Sequence, residues 1–294
     1  MDMRGFGFSD RPKHPRRFTM SRLVRDVLEC LAALGHTRCT LVAHDWGGMV
    51  AWHVAAAHPE AVQRMVVLAS PHPRAYLDPA CFTPQQSLRS WYFILFQAPR
   101  LAAVYMSHSD FKEVDSMLRK APRGVIVDGT ITDQDVDRTK ALLGRPGALR
   151  AALNYYVASF DNQSRRPDQI LKTPLESTIS VPLLVLYGQQ DAAFLPSMFQ
   201  DYGRFCADVT TLMVEGCSHW MQQDRPSLIS EHITCFLRGK PLCEPGCLVE
   251  KTTGTSEARE AVHLSAKLST GSGEGKVSSR CCKVTPLPSA RSHT

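Results

Sequence analysis

Residues 39–51 read Cys-Thr-Leu-Val-Ala-His-Asp-Trp-Gly-Gly-Met-Val-Ala, and the reading of this stretch decides the fold. Leu41 to Ala43 is a short apolar run with the size and β-branching of a buried strand. It stops at His44-Asp45-Trp46-Gly47-Gly48, and Met49, Trp52 and Ala56 then recur at helical spacing until Pro59. A strand, a tight turn around one reactive side chain, then a helix: this pattern is a nucleophile elbow. The crowded turn needs small residues two positions either side of the nucleophile, and Ala43 and Gly47 supply them. Taken alone, an Asp at such a place is an ordinary helix N-cap. Taken as a nucleophile, Asp45 attacks carbon and forms an alkyl ester, which points to strained ethers or alkyl halides as substrates.

The chain has 294 residues, 44% hydrophobic and 21% charged, which is enough for a sizeable core in a globular protein. No apolar run approaches the roughly 20 residues of a membrane span, and Met1-Asp2-Met3-Arg4 does not open a signal peptide. The net charge of +6 is not clustered, so a nucleic-acid partner is not expected. Ten cysteines show no metal-ligand spacing: Cys243 and Cys247 lack a second pair of ligands, and Cys281 and Cys282 are adjacent. Reduced thiols in a cytosol-facing protein, with neither metal nor cofactor, are the expectation.

Outward from the elbow, an amphipathic helix is predicted over 20–35, with Leu23, Val24, Val27, Leu28, Leu31 and Leu34 on one face and Gly35 closing it. Met65 to Ala69 is a further short strand, ended by Ser70-Pro71-His72-Pro73. Strands alternating with helices imply a mostly parallel sheet covered on both faces. That rhythm lapses over 71–178, which reads as helical and aromatic-rich, with a capping box at Thr132-x-x-Asp135. It resumes at Val181 to Tyr187, followed by Gly188 and Asp191. Thr211 to Val214 is expected to be the last strand, leading into Gly216-Cys217-Ser218-His219-Trp220 and a closing helix over 227–237. The expected organisation is therefore a first part of the core (1–70), a helical cap (71–178), a second part of the core (179–239) and a disordered tail (240–294).

Asp45, Asp191 and His219 each follow a strand, in the order nucleophile, acid, histidine that α/β-hydrolases use. The chain resembles the epoxide hydrolases of that fold from about Asp2 to Leu237, most closely the vertebrate membrane-anchored branch. The matching pieces are His44-Asp45-Trp46-Gly47, the opening Asp2-x-Arg4-Gly5-x-Gly7-x-Ser9-Asp10, Phe96-Gln97-Ala98-Pro99, Asn154-Tyr155-Tyr156 and Gly216-x-x-His219-Trp220. Ala43 replaces a glycine common in the family, and Val157-Ala158 stand where it often has Arg-Asn.

The resemblance implies an Asp45 nucleophile, an Asp191–His219 pair that activates water, and two lid tyrosines that donate to the opening oxygen. Tyr92, four residues before Phe96, matches the first. For the second, Tyr155 and Tyr156 lie about 100° apart on a helix, so only one faces the pocket, and the resemblance selects Tyr156. The implied substrate is an apolar, lipid-like epoxide such as an epoxy fatty acid, with water as co-substrate. The implied location is the cytoplasm or the cytosolic face of the endoplasmic reticulum. A tyrosine pair favours an epoxide over the halide of the related haloalkane dehalogenases, although Trp46 is common to both.

Against the family pattern the chain looks N-terminally incomplete, since earlier strands, a membrane anchor and a His-Gly-x-Pro loop would precede Asp2. The expected consequences are an elbow strand on an exposed edge and an oxyanion hole reduced to the Trp46 N–H. The alternative reading is a catalytically impaired hydrolase-fold chain that acts at most as a binding module.

Overall fold

The computed structural model describes residues 1–160, 178–242 and 247–253. In chain order α1 (Met20–Ala33) precedes β1 (Cys39–His44), α2 (Trp46–Ala57) and β2 (Val62–Leu68). Five helices follow: α3 (Pro84–Arg89), α4 (Tyr92–Phe96), α5 (Pro99–Arg119, interrupted at His108–Phe111), α6 (Asp133–Leu143) and α7 (Ala148–Phe160). The chain then returns to the sheet through β3 (Leu183–Gly188) and β4 (Asp208–Val214). Two helices, α8 (Met221–Asp224) and α9 (Pro226–Leu237), lead to β5 (Cys247–Thr253).

The sheet order is β1-β2-β3-β4-β5, and the first four strands are parallel as expected. Alternate residues enter two cores. Met65, Val67, Leu183 and Val185 pack with α1 and α2, whereas Val66, Leu68, Leu184, Leu186 and Leu212 pack with α9. Burial on both faces is why these strands read as unbroken apolar runs. β1 differs, because among the described residues it pairs only with β2, at the edge, and Val42 is 50% exposed. The helices between β2 and β3 have a small core of their own around Phe96, Met106, Val114 and Leu153.

Two expectations need correction. α1 stops at Ala33, so Leu34 falls in the cap and is exposed rather than continuing the apolar face. The tail expected to be irregular from 240 onward instead contributes β5, which pairs antiparallel along the whole of β4. Thr211 to Val214 therefore belongs to an interior strand and is not the sheet's last. The physical reason is the free backbone edge of β4, which accepts a segment containing Val249, Thr252 and Thr253, residues that favour extended backbone. The remainder of that expectation, over 243–246 and 254–294, lies outside the described residues, as does 161–177 of the expected cap. Among the described residues no helix is long and apolar enough to cross a membrane.

Candidate active site

β1 ends at His44, and the next residue carries the strain. Asp45 has φ 50° and ψ −120°, a region that non-glycine residues occupy only when the surroundings over-determine it. Its N–H donates to Leu68 O at the end of β2, and its carbonyl accepts from Met49 N. Although Asp45 stands at the N-cap position of α2, its side chain makes no capping hydrogen bond. It lies instead with Oδ1 3.4 Å from His219 Nε2 and is 35% exposed.

The glycine that makes this turn possible is Gly48 rather than Gly47. A Cβ on Gly48 would sit 2.5 Å from Ser70 Cβ, while one on Gly47 would meet nothing closer than 3.8 Å. α2 must press onto the end of β2 at this point for the elbow to stay sharp.

His219 arrives from the loop after β4. Its Nδ1 donates to Asp191 Oδ2 at 2.9 Å, and Asp191 is fully buried after the end of β3. The other Asp191 oxygen accepts from Ala193 N and Phe194 N, at 2.7 and 3.0 Å. That fixes the carboxylate's orientation and hence the imidazole tautomer. A second glycine matters here. Any Cβ on Gly188 would lie 2.3 Å from Ser218 O, so only glycine lets the end of β3 touch the histidine loop.

Burial alone would keep His219 neutral, but the charge and hydrogen bond of Asp191, and then those of Asp45, raise its pKa to about 10. Burial likewise pushes the Asp45 carboxyl up, and the His219 hydrogen bond and charge outweigh it, with His44 and the Trp46 N–H adding to them. Asp45 therefore stays below the ordinary carboxylate range. His219 is thereby held as an imidazolium facing the Asp45 carboxylate.

Tyr92 on α4 and Tyr156 on α7 have ring centroids 6.0 Å apart, and Tyr156 lies 5.0 Å edge-on to Trp46. Burial first, and then the negative charge of Asp45 among other neighbours, raises both phenols well above their ordinary range, so both are neutral donors. Tyr155 points elsewhere: its hydroxyl donates to Arg4 O at 2.7 Å and its ring packs on Phe6 and Phe18.

Several participants were missed in the sequence. His44 Nε2 must donate to His219 O at 3.0 Å, since a carbonyl only accepts. Burial and the neighbouring His219 depress the His44 pKa to about 4, so it stays neutral in that role. Tyr76 is held beside the site by Phe82 and Phe194, and burial followed by Asp45 raises its phenol. Buried Gln86 on α3 donates to Ala193 O and accepts from Leu195 N, so it braces the loop that carries Asp191. None of these has a local sequence signal, except that His44 adjoins the nucleophile.

Residues 1–226 match the model of the alpha/beta hydrolase fold family. The chain is 32% identical to epoxide hydrolase 2 of Caenorhabditis elegans over 81% of its own length and 65% of the relative's. It is 34% identical to epoxide hydrolase 3 of Xenopus tropicalis over 81% and 63%, and 30% identical to human epoxide hydrolase 4 over 81% and 64%. It thus spans a little under two thirds of these relatives. Among solved structures, an epoxide hydrolase from Bacillus megaterium with a bound inhibitor superimposes with a TM-score of 0.69 at 24% identity, covering 80% of this chain and 82% of the other.

Proposed function

The chain belongs to the alpha/beta hydrolase fold family, and we propose that it opens apolar epoxides to vicinal diols through an ester on Asp45. The observation that carries this reading is the placement of His219 between two carboxylates, with Asp45 facing a pair of neutral tyrosines. The similarity to epoxide hydrolases from nematode, frog and human supports it.

In this mechanism the Asp45 carboxylate attacks an oxirane carbon, the C–O bond breaks, and the oxygen takes up a proton as Tyr92 and Tyr156 stabilise its developing charge. Esterification removes the Asp45 charge. One of the two carboxylates that held the His219 proton has then gone, so the imidazolium releases it, balancing the proton gained by the alkoxide. Neutral His219 deprotonates a water, which attacks the Asp45 carbonyl carbon. The Trp46 N–H already favours charge on this carboxylate, so it also favours the tetrahedral oxyanion. Collapse restores the carboxylate, the imidazolium and a free diol.

The aromatic surround of Phe93, Phe96 and Trp46 around Tyr156 supports a lipid-like substrate such as an epoxy fatty acid. The pairing of Tyr92 with Tyr156 supports an epoxide over a halide. We read the helices between β2 and β3 as the lid over this site. Among the described residues Cys30, Cys39, Cys81, Cys206, Cys217 and Cys235 form no disulfide, which is compatible with a reducing, cytosol-facing compartment.

The test is to incubate the protein with an epoxy fatty acid and measure diol, with Asp45→Ala as control. Diol from the wild type and none from the variant is expected. Equal diol from both, or none from either, overturns the reading.

A further inference from the structure

We propose that Asp224 is a positioning residue that clasps the His219 loop and sets it in register with the helices over the site; the inference rests on the hydrolase reading above. Asp224 ends α8 and is 4% exposed. Its carboxylate folds back on the chain that precedes it. Oδ2 accepts from Ser218 N at 2.7 Å and from Ser218 Oγ at 2.6 Å, and Ser218 Oγ in turn accepts from Trp220 N at 3.0 Å. His219 is thus the residue inside a closed loop whose two flanking residues are both tied to one carboxylate, directly or through a hydroxyl.

The other oxygen reaches into the helical segment. Oδ1 accepts from Ile126 N at 2.7 Å and from Val127 N at 3.2 Å, in the connection between α5 and α6. Trp220 runs beside this tie, its indole N–H donating to Met117 O and Arg123 O at 2.9 and 3.1 Å. The two oxygens therefore serve two masters, each satisfying two donors. An asparagine has one acceptor oxygen and an NH₂ that would face N–H donors, so Asp224→Asn must release either the histidine loop or the helical segment. Burial makes that release expensive, because the abandoned N–H groups have no water to turn to.

This geometry acts on one half of the reaction. Forming the Asp45 ester needs the nucleophile and the lid tyrosines, whereas breaking it needs His219 to aim at a water. A displacement of His219 by about 1 Å is enough to slow its step about 10²-fold.

The experiment is rapid-quench kinetics with an epoxy fatty acid on wild type, D224N and S218A. Ester on Asp45 is followed by peptide mass and diol by chromatography. Both rates are read on molecules that have already bound substrate, so a variant that only folds less well lowers the amplitude and leaves the ratio of the two rates unchanged. Expected for D224N, if the histidine loop is the side released, is ester formation near the wild-type rate and ester breakdown slowed about 10²-fold, with S218A, which touches that side only, between the two. A D224N whose ester formation alone is slowed, with S218A unchanged, overturns the positioning of His219. An unchanged ratio in both variants overturns the positioning role while leaving the hydrolase reading intact. If D224N yields no soluble protein, S218A alone decides in the same way. Absence of both ester and diol in the wild type overturns the hydrolase reading and this inference with it.

Discussion

Asp45 and His219 approach within 3.4 Å of each other, yet the molecule holds them by opposite means. Asp45 is held by backbone. It sits on an edge strand, is partly exposed, and owes its position to a left-handed φ and to α2 pressing Gly48 onto Ser70. His219 is held by side chains. It follows the interior strand β4, with Asp191, the His44 imidazole and the Asp224–Ser218 clasp fixing its ring and its main chain. A backbone device is local and tolerates an exposed strand beside it. A side-chain web needs partners from far along the chain, and it needs burial to make those hydrogen bonds rigid.

The sharpest way to break this comparison is to remove the imidazole. His219→Gln leaves the backbone device of Asp45 untouched, so an epoxide should still esterify it. Without a general base the ester should persist, and diol production should fall by about 10²–10⁴-fold. Peptide mass after a single turnover would detect the modified Asp45. An H219Q protein that never labels would mean that the nucleophile depends on His219 for its geometry as well as for its charge, and the two regions would not be separable.

The difference also explains what the sequence could be made to disclose. The elbow was legible because its determinants are adjacent: an apolar run, small residues and an Asp within a few positions. Which glycine matters was not legible, since Gly48 is selected by Ser70, a residue on another strand end. Asp191 and His219 could be placed by order along the chain, and β1 to β4 by their apolar runs. Asp224 could not, for in Asp224-Arg225-Pro226 it reads as the ordinary start of the helix that follows. Its partners Ile126 and Val127 lie 98 and 97 residues away. β5 was missed for a related reason. Its pairing depends on the waiting edge of β4, and nothing in its own composition demands it.

A smaller effect sharpens the backbone side. Gly48→Ala puts a methyl group 2.5 Å from Ser70 Cβ, and neither atom is at the end of a flexible side chain. Strain from such overpacking is typically about 1–3 kcal/mol, to be read as a lower midpoint in denaturant or heat. Adding Ser70→Gly removes the obstructing atom and should recover most of the loss. Gly47→Ala, which has room, should be close to neutral. If Gly47→Ala proves the worse of the two, the elbow is held on its strand side by Ala43 and not by the end of β2.

A last effect is on the pH dependence of stability, and above neutral pH it belongs to the side-chain region. The pKa of His219 is raised in the folded protein from about 6.5 to about 10, against burial, by Asp191 and then by Asp45. A group whose folded pKa exceeds its unfolded value contributes stability that is complete below the unfolded pKa and is lost as pH rises through the folded one. The contribution of His219 is therefore whole below about pH 6.5 and erodes from there to about pH 10. Asp45 has the reverse sign, since its lowered pKa contributes above the ordinary carboxylate range and is lost only in acid. Between pH 7 and 10 the pair should thus show one slope, downward. The wild-type Tm should fall more steeply over that interval than that of H219Q. Equal slopes would mean that His219 is already neutral in the resting protein, and esterification would then have no proton to release from it.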